Sequence, residues 1–303
     1  MESGNGLLMA VMVKSMSDLR ENFKNKKRIV VKIGSSSINH PESGGMDFTR
    51  IELLVRQLCD IHNSGKDVVL VSSGAIAAGK YAIGYGRDRS ISHELTLPQK
   101  QACAAIGQGR LMNIYEKFFT EYNQLPAQVL MTKDTVLNDT NRMNATNTFK
   151  ALLDMGVIPI VNENDTIATH EIEIGDNDTL SAMVASMVDA DLLILLSDID
   201  GLYTDDPNKN PDAEFIAEVP EITDEYLEMG KGSTGTGMGT GGMSTKLNAA
   251  SIATYSGADM VICSSKDLTI LNRIIAGENV GTAFRSNKKD DFNLPEFVSR
   301  ILK

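Results

Sequence analysis

The stretch DVVLVSSGAIAAG, residues 67–79, decides the fold. A short, uninterrupted apolar run rich in β-branched residues passes through Ser72, Ser73 and Gly74 into an alanine-rich segment with helical preference. A strand this continuously apolar is buried on both faces, as in a parallel sheet covered by helices. The same design recurs in RIVVKI (28–33), AQVLM (127–131), VIPIV (157–161), DLLILL (191–196) and ADMVIC (258–263). Between these runs lie longer amphipathic or alanine-rich stretches: FTRIELLVRQLCDIHNSG (48–65), PQKQACAAIGQGRLMNIYEKFFTEY (98–122) and TNTFKALLDMG (146–156). Alternating strands and helices predict an α/β protein, a three-layer α/β/α sandwich with a mainly parallel central sheet. The segment TIATHEIEIGDND (166–178) alternates polar and apolar residues and predicts a hairpin projecting from the sheet. Residues 1–26 read as an N-terminal extension and 286–303 as a short polar, helical tail. There is no internal repeat.

Composition bounds the function. A formal charge of −11 disfavours nonspecific nucleic-acid binding, while a few local lysines could still hold a small anion. Cys59, Cys103 and Cys263 lie far apart in apolar stretches without a C-x-x-C pair, which predicts free thiols in a reducing compartment, the cytoplasm. No apolar run approaches the ~20 residues that span a bilayer, so a soluble protein without a membrane partner is expected. GLLMAVMV (6–13) lacks the positive flank of a signal sequence, and Glu2, Asp18 and Glu21 argue against a transit peptide. His40, His62, His93 and His170 show no ligand spacing, and no protein metal site is expected.

In open α/β sheets, ligands sit beyond the carboxyl ends of the strands. Those ends are polar here. The first strand leads from Lys32 to Gly34 and Ser35–Ser37, and the second leads to Ser73 and Gly74. VIPIV runs into Asn162, Glu163, Asn164 and Asp165, and DLLILL into Ser197 and Asp198. Each is an ordinary turn or cap residue alone; together they mark one edge. Lys32 stands inside an apolar strand, where its ammonium must reach solvent, a carboxylate or a ligand phosphate. Asp176, Asn177 and Asp178 precede a helical pattern that they could cap, and DNDTLS departs from a calcium-binding EF-hand loop.

The run GKGSTGTGMGTGG (230–242) places glycine at seven of thirteen positions and leads into STKLNAASIATYS (244–256), a helix that Ser244 or Thr245 could cap. Glycine lets backbone N–H groups approach an anion closely, and Lys246 adds positive charge at the helix opening. A flexible linker has similar composition. The run is not G-x-x-x-x-G-K-[ST], since Thr245 precedes Lys246 and Leu247 follows it. Gly237, Gly239 and Gly242 fit G-x-G-x-x-G by letter only, because TDEYLEMGKGST before them does not read as a strand. So much glycine predicts a mobile loop over Met229–Gly239, able to close over a bound anion.

In order along the chain, KIGSSS, VSSGAIAAG, NENDTIA, GDNDTLSA, LLSDIDGLYTDDP and GTGGMSTK resemble the glutamate 5-kinases of the amino acid kinase family. The resemblance spans residues 27–285 and implies one kinase domain that moves the γ-phosphoryl of ATP onto the side-chain carboxylate of L-glutamate, with Mg²⁺, as the first step of proline synthesis. It implies catalytic roles for Lys32, Lys246 and Asp178. It implies glutamate binding by Ser73, Gly74, Asn162, Asp165, Asp176 and Asn177. ATP would be bound by Lys32, Gly34, Ser197, Asp198, Thr240, Gly241, Gly242, Met243, Ser244, Thr245 and Lys246. A homo-oligomer is expected, with proline a candidate feedback inhibitor. Many bacterial members carry a further C-terminal domain of the PUA type, which this chain is expected to lack. Fold-mates acting on N-acetylglutamate, aspartate or UMP are the enzymatic alternatives, and a non-catalytic nucleotide or amino acid sensor is the other.

Overall fold

The structure is a computed structural model that describes residues 19–85, 95–168, 176–205, 207, 209–231 and 242–302. Its strands are β1 (Arg28–Ile33), β2 (Asp67–Ser72), β3 (Pro126–Met131), β4 (Ile158–Glu163), β5 (Leu192–Ser197), β6 (Leu202–Tyr203), β7 (Phe215–Ile216), β8 (Glu218–Val219), β9 (Asp259–Ser264) and β10 (Thr282–Phe284). Its helices are α1 (Phe48–Asn63), α2 (Ala75–Ala82), α3 (Leu97–Glu121), α4 (Lys133–Leu137), α5 (Asp139–Asp154), α6 (Asn177–Met187), α7 (Asp224–Lys231), α8 (Met243–Ser256), α9 (Ile270–Ile275) and α10 (Leu294–Ile301).

Eight strands form one sheet in the order β3-β4-β2-β1-β5-β9-β10-β8, and all neighbours are parallel except β9 and β10. The predicted three-layer α/β/α architecture is therefore present. Each strand foreseen from an apolar run is observed; β1 and β3 end where the runs end, and β2, β4, β5 and β9 extend one or two residues into the polar residues that follow. Strand β10 and the two-residue strands β6, β7 and β8 lack a long apolar run and escape sequence reading.

Alternation along the strands divides the core. Val30, Val69 and Val71 pack with α5, α6, α8 and α10 on one face, while Ile29, Val31, Ile33 and Leu70 pack with α1, α3 and α9 on the other. A fully buried valine, leucine or isoleucine contributes roughly 1.5–3 kcal/mol, so the two apolar layers are the main force holding the sheet in place. Because side chains alternate with period two, Lys32 falls on the same face as Val30, toward α6 and α8. Leu294 and Val298 of α10 are buried in that layer, so residues 294–301 dock on the domain. Among the described residues, no helix is long and apolar enough to cross a membrane.

Three local readings need correction or delimitation. The proposed 166–178 hairpin does not reach its predicted end: Asp176 is the N-cap of α6, and Asn177 and Asp178 form its first turn. Its middle, 169–175, lies outside the described residues. Helix α8 begins at Met243 with Gly242 as N-cap, and neither Ser244 nor Thr245 caps it; the Thr245 hydroxyl donates back to Gly242 O at 2.7 Å. Of the loop expected over Met229–Gly239, Met229–Lys231 are the end of α7, and the remainder, like Thr240, Gly241 and residues 1–18, lies outside the described residues.

Candidate active site

The carboxyl ends of β1, β2, β4 and β5 open into one cleft of about 410 Å³. Lys32, Gly34, Ser73, Gly74, Asn162, Asp165, Asp176, Asn177, Asp178, Ser197, Asp198 and Lys246 all line it. These are residues from six separate stretches of sequence. Gly242, Met243, Ser244 and Thr245 stand at the start of α8, next to Lys246 but not in the cleft wall.

At the deep end, Asp178 lies between two lysines. Lys32 Nζ is 2.6 Å from its Oδ1 and Lys246 Nζ 3.0 Å from its Oδ2, and all three side chains are at least nine-tenths buried. Burial alone would push the Asp178 carboxyl up, but Lys32 and Lys246 outweigh it and hold the group below the ordinary carboxylate range. Burial likewise works against the Lys32 charge, and Asp178, Asp176 and Asp198 overcome it and raise its pKa. Asp176 behaves oppositely: desolvation and the neighbouring Asp178 push its carboxyl up, only partly countered by the lysines. Its Oδ1 accepts from Asp178 N as the cap of α6, while its buried Oδ2 has no hydrogen-bond partner among the described residues. Two ammoniums thus share one carboxylate beside the amino end of α8, where the helix dipole favours an anion.

The other end carries a chain of neutral side chains. Asn177 Nδ2 donates to Ser73 Oγ at 2.6 Å and to Asn162 Oδ1 at 3.0 Å, and Asn162 Nδ2 donates to Gln108 Oε1 at 3.0 Å. The turn that presents Ser73 requires Gly74, whose φ is 116° and whose missing Cβ would stand 3.1 Å from Ile38 Cδ1. The Ser197 hydroxyl donates to Asp198 Oδ1 at 3.0 Å at the end of β5.

Sequence reading missed two residues. Lys80, on the cleft-facing side of α2 with Ile76 and Ala77, adds a further cation; its signal was the i, i+4 spacing from Ile76. Gln108 lies behind the wall on α3. Its trace is the pair of glycines in GAIAAG and AAIGQG. A Cβ on Gly107 would lie 1.8 Å from Ala75 O, and one on Gly79 1.9 Å from Cys103 O, so α2 and α3 touch through their backbones.

Residues 27–264 match the family described as the amino acid kinase family. A glutamate 5-kinase of Carboxydothermus hydrogenoformans is 54% identical over 271 residues, covering 89% of this chain and 71% of that protein. One from Clostridium tetani is 49% identical over 269 residues, 89% of this chain and 98% of its own length. Among solved structures, a carbamate kinase from Giardia lamblia bound to AMP-PNP aligns with a TM-score of 0.62 at 18% identity, covering 87% of this chain and 100% of that one, which speaks to fold alone. With its sheet order, its cleft at the strand ends and these likenesses, the chain belongs to the amino acid kinase family, on the branch of the glutamate 5-kinases.

Proposed function

We infer that the protein transfers the γ-phosphoryl group of ATP to the side-chain carboxylate of L-glutamate, giving L-glutamyl 5-phosphate, the first step of proline synthesis. The observation that carries this reading is the buried Lys32–Asp178–Lys246 triad at the deep end of the cleft. A glutamate carboxylate, with an ordinary pKa of about 4.3, is already ionised at neutral pH and needs no general base. Among the described residues, those lining the cleft include no histidine. The obstacle is repulsion between that anion and a polyphosphate, and two lysines held rigidly by one carboxylate supply the compensating charge without reorganising. Ser73, Gly74, Asn162, Asp165, Asp176 and Asn177 would hold the glutamate, with acceptors for its ammonium and donors for its carboxylates. Gly34, Ser197, Asp198 and the segment 240–246 would hold the nucleotide.

Mg²⁺ fits the residues present. No group of three acidic, histidine or cysteine side chains able to cage a metal exists among the described residues. Asp176 Oδ2, a carboxylate oxygen without a hydrogen-bond partner among the described residues, would be the ion's protein ligand, with the nucleotide phosphates supplying the others. The ion would neutralise phosphate charge during transfer. A cytoplasmic location, a homo-oligomer and inhibition by proline belong to the same reading.

The test is incubation with ATP, Mg²⁺ and, separately, glutamate, N-acetylglutamate, aspartate or UMP, with hydroxylamine present to trap an acyl phosphate. Hydroxamate from glutamate alone is expected. Hydroxamate from aspartate or N-acetylglutamate instead, or UMP-dependent ADP release, would reassign the substrate; ligand binding without turnover would make the protein a sensor.

A further inference from the structure

Gln108 does not line the cleft, yet it ends a chain of hydrogen bonds that does. Its Oε1 accepts from Asn162 Nδ2, Asn162 Oδ1 accepts from Asn177 Nδ2, and the same Asn177 nitrogen donates to Ser73 Oγ. Gln108 is 8% exposed and Asn162 3%, so bulk water does not compete for these bonds. Each amide has a donor end and an acceptor end, which makes the relay directional. With both hydrogens of Asn177 Nδ2 spent on Asn162 and Ser73, its Oδ1 is left as an acceptor on a residue that lines the cleft. Ser73 Oγ, already accepting, keeps its own hydrogen free to donate.

A chain of neutral amides has a second self-consistent setting, with every side chain turned over. Asn177 would then present N–H groups to the cleft, and Ser73 would have to donate toward Asn177. The two settings are equal in charge, and the structure holds the one in which Gln108 Oε1 is the terminal acceptor. The backbone-to-backbone contact of α2 and α3 through Gly79 and Gly107 brings Gln108 within reach of β4, so the side chain next to a structural glycine governs a cleft residue on a different helix.

We propose that Gln108 is a positioning residue that fixes the polarity of the amino acid end of the cleft, setting Asn177 Oδ1 to accept from the substrate ammonium and the Ser73 hydroxyl to donate to a substrate carboxylate. This rests on the glutamate reading above. Gln108 touches no substrate; it acts through Asn162 and Asn177. Its removal therefore weakens recognition of the ammonium and leaves phosphoryl transfer alone.

The experiment compares wild type with Gln108→Met, which keeps length and loses the acceptor, and Gln108→Glu, which keeps an acceptor oxygen. For each, the glutamate KM is measured by hydroxamate formation and compared with the inhibition constant of glutarate, which has both carboxylates and no ammonium. In Gln108→Met, the preference for glutamate over glutarate should fall roughly tenfold, the scale of one hydrogen bond, while the ATP KM and kcat at saturating glutamate stay within about threefold. Gln108→Glu should retain the preference. Should Gln108→Met fail to fold by circular dichroism, Gln108→Leu substitutes for it with the same expectation. An unchanged preference in the apolar variant overturns the proposal, as does an equal loss in Gln108→Glu, which would indicate packing alone. If wild type forms no hydroxamate from glutamate, the functional reading fails first, and the two failures are distinguishable.

Discussion

The two ends of the cleft are built from different materials. The deep end is three buried charges, Lys32, Asp178 and Lys246, in contact at 2.6 and 3.0 Å. The other is four neutral side chains, Ser73, Asn177, Asn162 and Gln108, linked at 2.6 to 3.0 Å. The distances are alike and the consequences are not. Removing one charge leaves its partners buried without compensation, whereas removing or reversing an amide changes which atom faces the ligand at no cost in charge. The charged end should therefore govern rate and stability, and the amide end selectivity.

The largest effect should come from Asp178→Ala, which leaves two ammoniums facing one another. Breaking a buried pair costs roughly 3–5 kcal/mol, so a marked fall in melting temperature is expected together with loss of turnover. A variant that melts like wild type would show that the lysines are solvated and that the ends do not differ in kind. Next in size, Lys32→Ala or Lys246→Ala should lower kcat by roughly 10²-fold or more, with the fold retained by circular dichroism, as for loss of one preorganised charge-stabilising group. Wild-type-like turnover in either sinks its role. Elsewhere in the cleft wall, Asp165→Ala should raise the glutamate KM by roughly 10- to 100-fold through loss of a charge-assisted hydrogen bond, and the ATP KM far less. Equal changes in both constants would instead mean general damage.

The same contrast explains what could be read from the sequence. Charged groups and strand ends are legible because burying a lysine in an apolar run is costly, so Lys32 announces itself and the order of polar strand ends fixes the cleft. Each of β1, β2, β4, β5 and β9 was visible because a doubly covered parallel strand is apolar at nearly every position, whereas β3, read from the same kind of run, is the sheet's edge and buries only Met131. Strands β8 and β10, two and three residues long, are held by neighbours rather than by their own composition. Gln108 was hidden for another reason: a glutamine on an amphipathic helix is an ordinary surface residue by pattern, and only the α2–α3 contact at Gly79 and Gly107 turns it inward. Asp176 and Asp178 are separated only by Asn177, and nothing in their spacing indicates that one pKa is raised and the other lowered. That difference arises from which carboxylate both lysines reach.

It also supplies the smallest and most discriminating test. A carboxyl whose folded pKa is raised stabilises the fold fully below its unfolded pKa, about 3.8, and loses that contribution as pH rises through the folded pKa; this is Asp176. A carboxyl whose folded pKa is lowered stabilises above the unfolded pKa and loses the contribution as pH falls through the folded pKa; this is Asp178. Asp176→Asn keeps an oxygen that can cap α6 and removes a reluctant charge. Its melting temperature should therefore lie slightly above wild type at pH 7, and the difference should disappear below about pH 3.8, where Asp176 is protonated in both states. The glutamate KM of that variant should rise at the same time, since the charge that strains the fold is one the substrate ammonium would neutralise. If Asp176→Asn instead melts below wild type at pH 7, then Asp176 is paired as firmly as Asp178, and the boundary between the charged and the neutral end has to be moved past it.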